Sequence, residues 1–169
     1  MRTLHPDLSA LALTTSPGGF SLTYQQRLIL RHTPDAACLW TGAGTADIEM
    51  FRGNFSIQDR LNEKIALTDA TVQAHEAGWT VRFGRGDAVS ATLKIGVDDA
   101  GRLQLTLQND DAAHNRIWLR LAANPEDHIY GCGEQFSYFD LRGKPFPLWT
   151  SEQGVGRNKK THITWLADC

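Results

Sequence analysis

The feature that most constrains this chain is a strict alternation of apolar and polar residues, which recurs along much of its length. Because successive side chains of a strand point to opposite faces of a sheet, each such run predicts a strand with one buried face. A helix would instead repeat its apolar residues about every 3.6 positions. The longest run of one parity consists of Val89, Ala91, Leu93, Ile95 and Val97.

Further runs of the same kind predict that most of the fold is built from strands. They cover residues 20–31, 79–83, 103–107 and 117–121. Residues 20–31 are predicted as a single strand, since only Gln26 interrupts the parity. Many short strands joined by turns are typical of two packed antiparallel sheets. The sequence therefore predicts an all-β fold, an antiparallel β-sandwich.

One segment fits either a helix or a strand. Ile57, Leu61 and Ile65 recur at helical spacing among charged residues. Ile65 and Leu67 equally fit the alternation of a strand. Both assignments stay open for residues 55–68.

No set of residues has the spacing of a metal site. Asp98 and Asp99 precede Gly101 in a short connection between two alternating runs, which predicts a hairpin turn. A calcium loop would need several more oxygen ligands at regular spacing. The histidines show no common zinc spacing: His75, His114, His128 and His162. We expect no metal and no cofactor.

Composition is that of an ordinary globular domain and argues against two classes of partner. Of 169 residues, 41% are hydrophobic and 21% charged, and the net charge is −2. A chain without a basic field is not expected to bind nucleic acid or an anionic membrane surface. The longest apolar run near the start, residues 8–13, is too short for a spanning helix. Because that run is also too short for the core of a signal peptide, we expect a cytoplasmic protein. Cys38, Cys132 and Cys169 are an odd number at wide spacing, so we expect reduced thiols.

The composition and periodicity of the sequence change after residue 129. Residues 130–157 are rich in glycine, proline and aromatic residues without sustained periodicity. Irregular segments of this length in compact domains are usually functional. We expect a sandwich body over residues 1–129 and an irregular segment over residues 130–169.

The irregular segment begins with the motif YGCGEQ at residues 130–135. Two glycines around a small residue let the backbone take unusual φ and ψ values and approach a ligand closely, which would present Glu134 at the tip of a turn. The alternative is a tight turn whose glutamate caps a backbone amide. Local spacing alone does not separate the two.

Three motifs resemble family 31 of the glycoside hydrolases. Residues 128–136, HIYGCGEQF, are similar to a tyrosine-glycine-x-glycine-glutamate segment near the end of the N-terminal sandwich in the family's α-glycosidases. Two longer motifs resemble the sulfoquinovosidase branch of the family: DIEMFRGNF at residues 47–55 and FDLRGKPFPLWTSEQG at residues 139–154. The similarity extends from about Phe20 to Cys169.

The resemblance implies an enzyme that hydrolyses α-sulfoquinovosides, such as sulfoquinovosyl glycerol, with retention at the anomeric carbon. Retaining glycosidases need two carboxyl groups about 5–5.5 Å apart. In this family both are aspartates on a (β/α)8 barrel that follows the sandwich, so we assign no catalytic residue here and expect this chain to be inactive alone. Its expected partners are that barrel and the carbohydrate substrate, and Glu134 and Gln135 are the expected substrate-binding residues.

Three alternatives stay open. The aromatic residues that follow Glu134 could form a sugar-stacking platform or seat the sandwich on the barrel. They are Phe136, Tyr138, Phe139, Phe146 and Trp149. Arg157, Lys159 and Lys160 could attract a sulfonate or form a solvated loop. The alternative function is a free-standing carbohydrate-binding β-sandwich, which fold alone does not separate from part of an enzyme.

Overall fold

The computed structural model describes residues 8–51, 54–86, 88–131 and 138–144. Within these ranges the regular structure consists of strands, and no helix occurs. The strands are β1 (Leu11–Ser16), β2 (Gly19–Tyr24), β3 (Arg27–His32), β4 (Leu39–Phe51), β5 (Asn54–Ala66), β6 (Asp69–His75), β7 (Gly78–Arg85), β8 (Ala88–Val97), β9 (Leu103–Asn109) and β10 (Arg116–Leu119).

The strands form three sheets, in the orders β1-β2-β3, β10-β4-β5 and β6-β7-β8-β9. The registers of the first and last sheets are antiparallel throughout, and β10 also pairs antiparallel with β4. Most neighbours are consecutive in the chain, as hairpin connections require. The predicted all-β antiparallel sandwich is confirmed.

The core of the sandwich is formed by the apolar faces of these strands. Phe20 of β2 and Phe83 of β7 meet with their ring centroids 6.0 Å apart, which joins two of the sheets. Fully burying a side chain of this size stabilises the fold by about 1.5–3 kcal/mol. The alternation predicted for β8 is confirmed from residue 91 onward, because the inward side chains whose burial the structure describes are buried: Ala91, Leu93, Ile95 and Val97.

The prediction of one strand over residues 20–31 is wrong. The segment is a hairpin of β2 and β3, in which Tyr24 pairs with Arg27. Its two-residue loop has positive φ at both positions, 49° at Gln25 and 65° at Gln26. Such loops normally carry asparagine, aspartate or glycine, because other residues rarely adopt positive φ. Because the loop consists of two glutamines, the sequence does not predict this turn.

The segment that fitted either a helix or a strand is a strand. Residues 55–66 lie in β5, which pairs with β4 in a long hairpin. Leu61, which a helix would have turned to the core with Ile65, is 47% exposed. Across the hairpin Arg60 forms a salt bridge of 3.3 Å with Asp47.

One face of the β10-β4-β5 sheet carries two indoles and two cations. Trp40 and Trp118 are directly paired across β4 and β10. Lys64 Nζ lies 4.5 Å from the ring centroid of Trp118, and Arg120 Cζ lies 4.9 Å from that of Trp40. The Trp118 indole packs over Gly42, where an added Cβ would lie 3.0 Å from the ring. Cation–π contacts therefore cover this side of the sheet.

The chain divides into two compact units. One comprises Met1–Gly44 and Leu61–Ala123, and the other comprises Thr45–Arg60 and Asn124–Cys169. The sandwich core lies in the first unit. The second unit contains the distal part of the β4–β5 hairpin and the described part of the irregular segment. The boundary expected at residue 129 stays a prediction.

Candidate functional site

The two residues predicted to bind substrate, Glu134 and Gln135, lie outside the described residues. The same holds for the aromatic and basic residues further along: Phe136, Phe146, Trp149, Arg157, Lys159 and Lys160. The structure does describe both flanks of the predicted site, residues 124–131 and 138–144.

The two flanks are joined by the carboxylate of Asp140. Its Oδ1 accepts hydrogen bonds from the backbone N–H of Ile129 at 3.1 Å and of Arg142 at 3.0 Å. Its Oδ2 lies 2.6 Å from Nδ1 of His128. The Asp140 side chain thus binds three donors. Two of them lie on the first flank, and the third lies on the second flank, to which Asp140 itself belongs.

Arg142 adds a second link between the flanks. Its Nη1 donates to the backbone oxygens of Asn124 at 2.9 Å and Asp127 at 2.6 Å. The backbone N–H of Leu141 donates to the Ile129 oxygen at 2.8 Å, and the Leu141 side chain is buried. These bonds satisfy backbone groups that have no strand partner.

The contacts of Asp140 set its charge. The hydrogen bond from His128, followed by those from the Arg142 and Ile129 amides, lowers the pKa of Asp140 to about 2. Donors to a carboxylate stabilise its ionised form. Asp140 is therefore an anion throughout the neutral range.

Aromatic side chains extend outward from this carboxylate. The rings of His128 and Tyr130 are stacked with centroids 6.1 Å apart, and Tyr130 meets Phe139 at 5.1 Å. Phe139 is 88% exposed and Tyr130 is 57% exposed. Lys144 Nζ lies 5.1 Å from the Tyr138 ring centroid. The flanks thus present an aromatic surface, which we call the flank patch: Tyr130, Tyr138 and Phe139.

Backbone geometry at Gly131 agrees with the need for glycine at the start of the motif. Its φ is 113°, a value that residues other than glycine rarely adopt. No atom lies within 4 Å of an added Cβ, so backbone conformation and not crowding favours glycine here.

Sequence reasoning missed Asp140, His128 and Arg142 as a group. In the sequence, His128 stands among histidines without a common zinc spacing, and Asp140 stands out only as part of the motif at residues 139–154. The sequence does contain one signal for the contact between Asp140 and Arg142. An aspartate often forms a turn by accepting a hydrogen bond from the backbone N–H two residues later. The bond from Arg142 N to Asp140 is of this type.

The remaining histidines of the described ranges have structural partners. His75 Nε2 lies 3.0 Å from the Thr80 hydroxyl. His114 lies between Asp111, at 2.9 Å, and Glu63, at 3.5 Å. Over the residues described, no three acidic, histidine or cysteine side chains come together as metal ligands would. In the same ranges, no helix is long and apolar enough to cross a membrane.

The acidic pair of the β8–β9 connection forms a turn, as predicted. Asp98 accepts from the N–H groups of Ala100 at 3.0 Å and Arg102 at 2.8 Å, and from the Arg102 side chain at 2.8 Å. Gly101 has a φ of 75°. The Asp98 carboxylate is therefore engaged by the hairpin itself.

Comparison with known proteins decides the family. Residues 23–161 match the model of the glycosyl hydrolase 31 N-terminal galactose mutarotase-like domain. The chain belongs to this family. The resemblance inferred from the three motifs is thereby confirmed.

Curated relatives of this family 31 domain are sulfoquinovosidases. The chain is 66% identical over 169 residues to the sulfoquinovosidase of Escherichia coli, covering 100% of this chain and 25% of that protein. It is 42% identical over 161 residues to the sulfoquinovosidase of Agrobacterium fabrum, covering 91% of this chain and 22% of the relative. The chain therefore spans about a quarter of the length of these relatives and aligns with their N-terminal region.

A solved structure shares the fold. It is a family 31 sulfoquinovosidase from E. rectale in complex with the aza-sugar inhibitor IFGSQ. The TM-score is 0.72 at 37% identity, and the match covers 91% of this chain and 22% of that one. This likeness supports both the sandwich architecture and the family.

Proposed function

We propose that this chain is the N-terminal β-sandwich of a retaining α-glycosidase that hydrolyses α-sulfoquinovosides such as sulfoquinovosyl glycerol. The observation that carries the proposal is the 66% identity to the E. coli sulfoquinovosidase, which extends over the whole chain. Because the chain corresponds to a quarter of that enzyme, the activity belongs to the complete protein.

In the complete protein the two catalytic carboxyl groups are on a (β/α)8 barrel that follows the sandwich. A retaining mechanism needs them about 5–5.5 Å apart, one as nucleophile and one as acid and then base. The sandwich packs on this barrel and shapes the mouth of the pocket. The flank patch supports this role, because its exposed rings are suited to a domain interface.

Glu134 and Gln135 contact the substrate at the pocket mouth. A carboxylate and an amide can accept hydrogen bonds from sugar hydroxyls, and the amide can also donate. Support comes from the flanks of this motif, where Asp140 and Arg142 join the two ends by four hydrogen bonds or close polar contacts. The body over residues 1–129 and the segment over residues 130–169 then have separate roles, as support and as barrel contact.

We place the protein in the cytoplasm. Cys38 is a free cysteine buried in the sandwich core, which suits a compartment that keeps thiols reduced. Fractionation of the source cells tests this assignment, since activity released only with periplasmic contents would contradict it.

The proposal is tested with the complete protein encoded by the gene. We expect turnover of an aryl α-sulfoquinovoside, little turnover of the matching aryl α-glucoside, and first release of the α-anomer by NMR. The chain of 169 residues alone should show no turnover above a buffer blank. A reading frame that stops at Cys169, with glycan binding but no hydrolysis, would favour the free-standing carbohydrate-binding module.

A further inference from the structure

The sheet face that carries Trp40 and Trp118 forms a low apolar surface on the sandwich body. Both indoles are half-buried, and they stand directly opposite each other on β4 and β10. Gly42 lies beneath the Trp118 ring, and its lack of a side chain lets the indole approach the backbone closely. We call this surface the indole face: Trp40, Trp118, Lys64 and Arg120.

The two cations of the indole face have no acidic partner among the described residues, whose salt bridges involve other side chains. Lys64 is exposed, and its Nζ lies over both rings, 4.5 Å from the centroid of Trp118 and 5.5 Å from that of Trp40. Arg120 is exposed as well, and its Nη2 donates to the Ala37 carbonyl oxygen at 2.9 Å. The Lys64 ammonium and the other N–H groups of Arg120 can therefore donate to an anion.

The position of the indole face argues against two classes of occupant. An extended peptide is held mainly by main-chain hydrogen bonds at an open sheet edge. Trp40 lies on β4, which is bonded to β10 on one side and to β5 on the other, so a ligand over this residue meets side chains only. A second copy related by a two-fold axis through this face would bring the same cations together. Both occupants are therefore disfavoured.

A sugar with an anionic group fits the indole face better. The apolar face of a sugar ring can stack on an indole, which offers a large rigid apolar surface. Lys64 and Arg120 both lie over the Trp40 ring, where they can reach an anionic substituent of the stacked sugar. A sulfonate has three oxygens for such donors, and hydrogen bonds between charged partners are the strong ones. Because the whole chain has a net charge of −2, the attraction comes from these two cations locally.

We propose that the indole face is a second, non-catalytic binding site for sulfonated sugars. The sugar ring lies on Trp40 and Trp118, and the sulfonate accepts hydrogen bonds from Lys64 and Arg120. The ligand class is that of the proposed substrate, so this inference rests on the proposed function. The site belongs to the sandwich body and needs no residue of the catalytic pocket.

The experiment uses the complete protein with its catalytic pocket saturated by an aza-sugar inhibitor of the kind bound to the E. rectale relative. Sulfoquinovose is then titrated into the inhibited protein by isothermal calorimetry, with glucose as the uncharged probe. We expect one further binding event for sulfoquinovose, and binding of glucose that is at least about tenfold weaker, because glucose lacks the charge-assisted hydrogen bonds.

Variants of the indole face assign this binding event. Lys64→Gln and Lys64→Glu should weaken the binding of sulfoquinovose by about tenfold or more. The matched control is Lys94→Gln, which changes an exposed lysine of β8 in another sheet and should keep the parental affinity. Trp118→Ala should abolish the event, and the two Lys64 variants decide the matter if Trp118→Ala does not fold.

The outcomes separate this inference from the proposed function. Absence of turnover of an aryl α-sulfoquinovoside by the parent overturns the proposed function and, with it, the choice of a sulfonated ligand. Turnover by the parent without a further binding event overturns the inference alone. So does a further event that Lys64→Glu leaves unchanged or that Lys94→Gln weakens equally. A lower melting temperature of Lys64→Glu, without a binding event in the parent, means that the rest of the protein covers the indole face, which also overturns the inference.

Discussion

His32 and Cys38 meet inside the sandwich core, with Nδ1 of His32 lying 3.7 Å from Sγ of Cys38. The same nitrogen accepts from the Cys38 backbone N–H at 3.4 Å. On the other side of the ring Nε2 lies 3.1 Å from the Thr68 carbonyl oxygen, which can only accept. The proton of the neutral ring is therefore on Nε2, and a second proton on Nδ1 would face a donor.

This arrangement predicts acid sensitivity. Burial lowers the pKa of His32, only partly offset by the Thr68 carbonyl and by the charge of Asp69. The unfolded chain therefore binds the proton more readily, and stability is lost as pH falls below about 6.5, the ordinary pKa of histidine. Above that pH the contribution is constant.

Thermal unfolding between pH 8 and pH 5 measures the effect. His32→Gln should flatten the fall of the melting temperature below about pH 6.5, although its melting temperature at pH 8 is lower. His75, whose ring is bonded to Thr80 on the surface, provides the control His75→Gln. An unchanged slope in His32→Gln, or an equal change in His75→Gln, contradicts the assignment.

The Cys38 thiol should be inert in the folded protein. Burial raises its pKa to about 11, against smaller opposing effects of its own backbone amide and of Arg120. The thiolate is the reactive form, so little of it exists near pH 8. Iodoacetamide labelling followed by peptide mapping should leave Cys38 unmodified until denaturant is added. Rapid labelling of native protein would show that the core opens locally.

Strands with one apolar face could be predicted from the sequence, and the others could not. In β7 the buried Val81 and Phe83 alternate with polar residues. In β4 the buried inward positions include Thr41, and the opposite face carries Trp40 and Gly42, so the apolar parity is lost. Hydrophobicity alone does not reveal a strand whose inward residue is a threonine and whose outward residue is a tryptophan.

The site was predicted only as a motif. Glycine and glutamate in residues 131–134 stand out locally, whereas two of the three donors to Asp140 are eleven and twelve residues away in the chain. Nothing in the spacing of His128 and Asp140 indicates a contact, because no periodic element connects them. Tertiary hydrogen bonds of irregular segments leave no repeat in the sequence.

Gly42→Ala should destabilise the β10-β4-β5 sheet. An added Cβ would lie 2.2 Å from the Glu63 carbonyl oxygen and 3.0 Å from the Trp118 ring, so backbone and indole both have to move. Overpacking of this kind costs about 1–3 kcal/mol of unfolding free energy. Because the indole is displaced, tryptophan fluorescence should change as well.

Gly101→Ala is the control for Gly42→Ala. Its φ of 75° makes alanine strained, yet no atom lies within 4 Å of the new Cβ. Backbone strain of this type costs about 1–2 kcal/mol. Gly101→Ala should therefore lower stability and leave tryptophan fluorescence unchanged. Equal fluorescence changes in the two variants would refute the steric explanation.

Phe139 should behave differently in the isolated chain and in the complete protein. Its ring is 88% exposed, and its contact with Tyr130 extends the apolar surface of the flank patch. Exposed patches of this kind promote association, so the isolated chain should aggregate at high concentration. Phe139→Ser should raise its solubility.

In the complete protein Phe139→Ser should instead be destabilising, because the ring is expected to be covered by the barrel. Loss of a buried phenylalanine removes about 1.5–3 kcal/mol of transfer free energy, more than the 0.5–1.5 kcal/mol of one aromatic pair. Leu121, 55% exposed on the sandwich body, supplies the control Leu121→Ser, which should change stability by no more than about 0.5 kcal/mol. Size-exclusion chromatography tests the aggregation expected of the isolated chain. Denaturant unfolding tests the loss of stability expected of the complete protein. The expectation is contradicted if the isolated chain elutes as a clean monomer, or if Phe139→Ser leaves the unfolding free energy of the complete protein unchanged. Either result means that the barrel does not cover this ring.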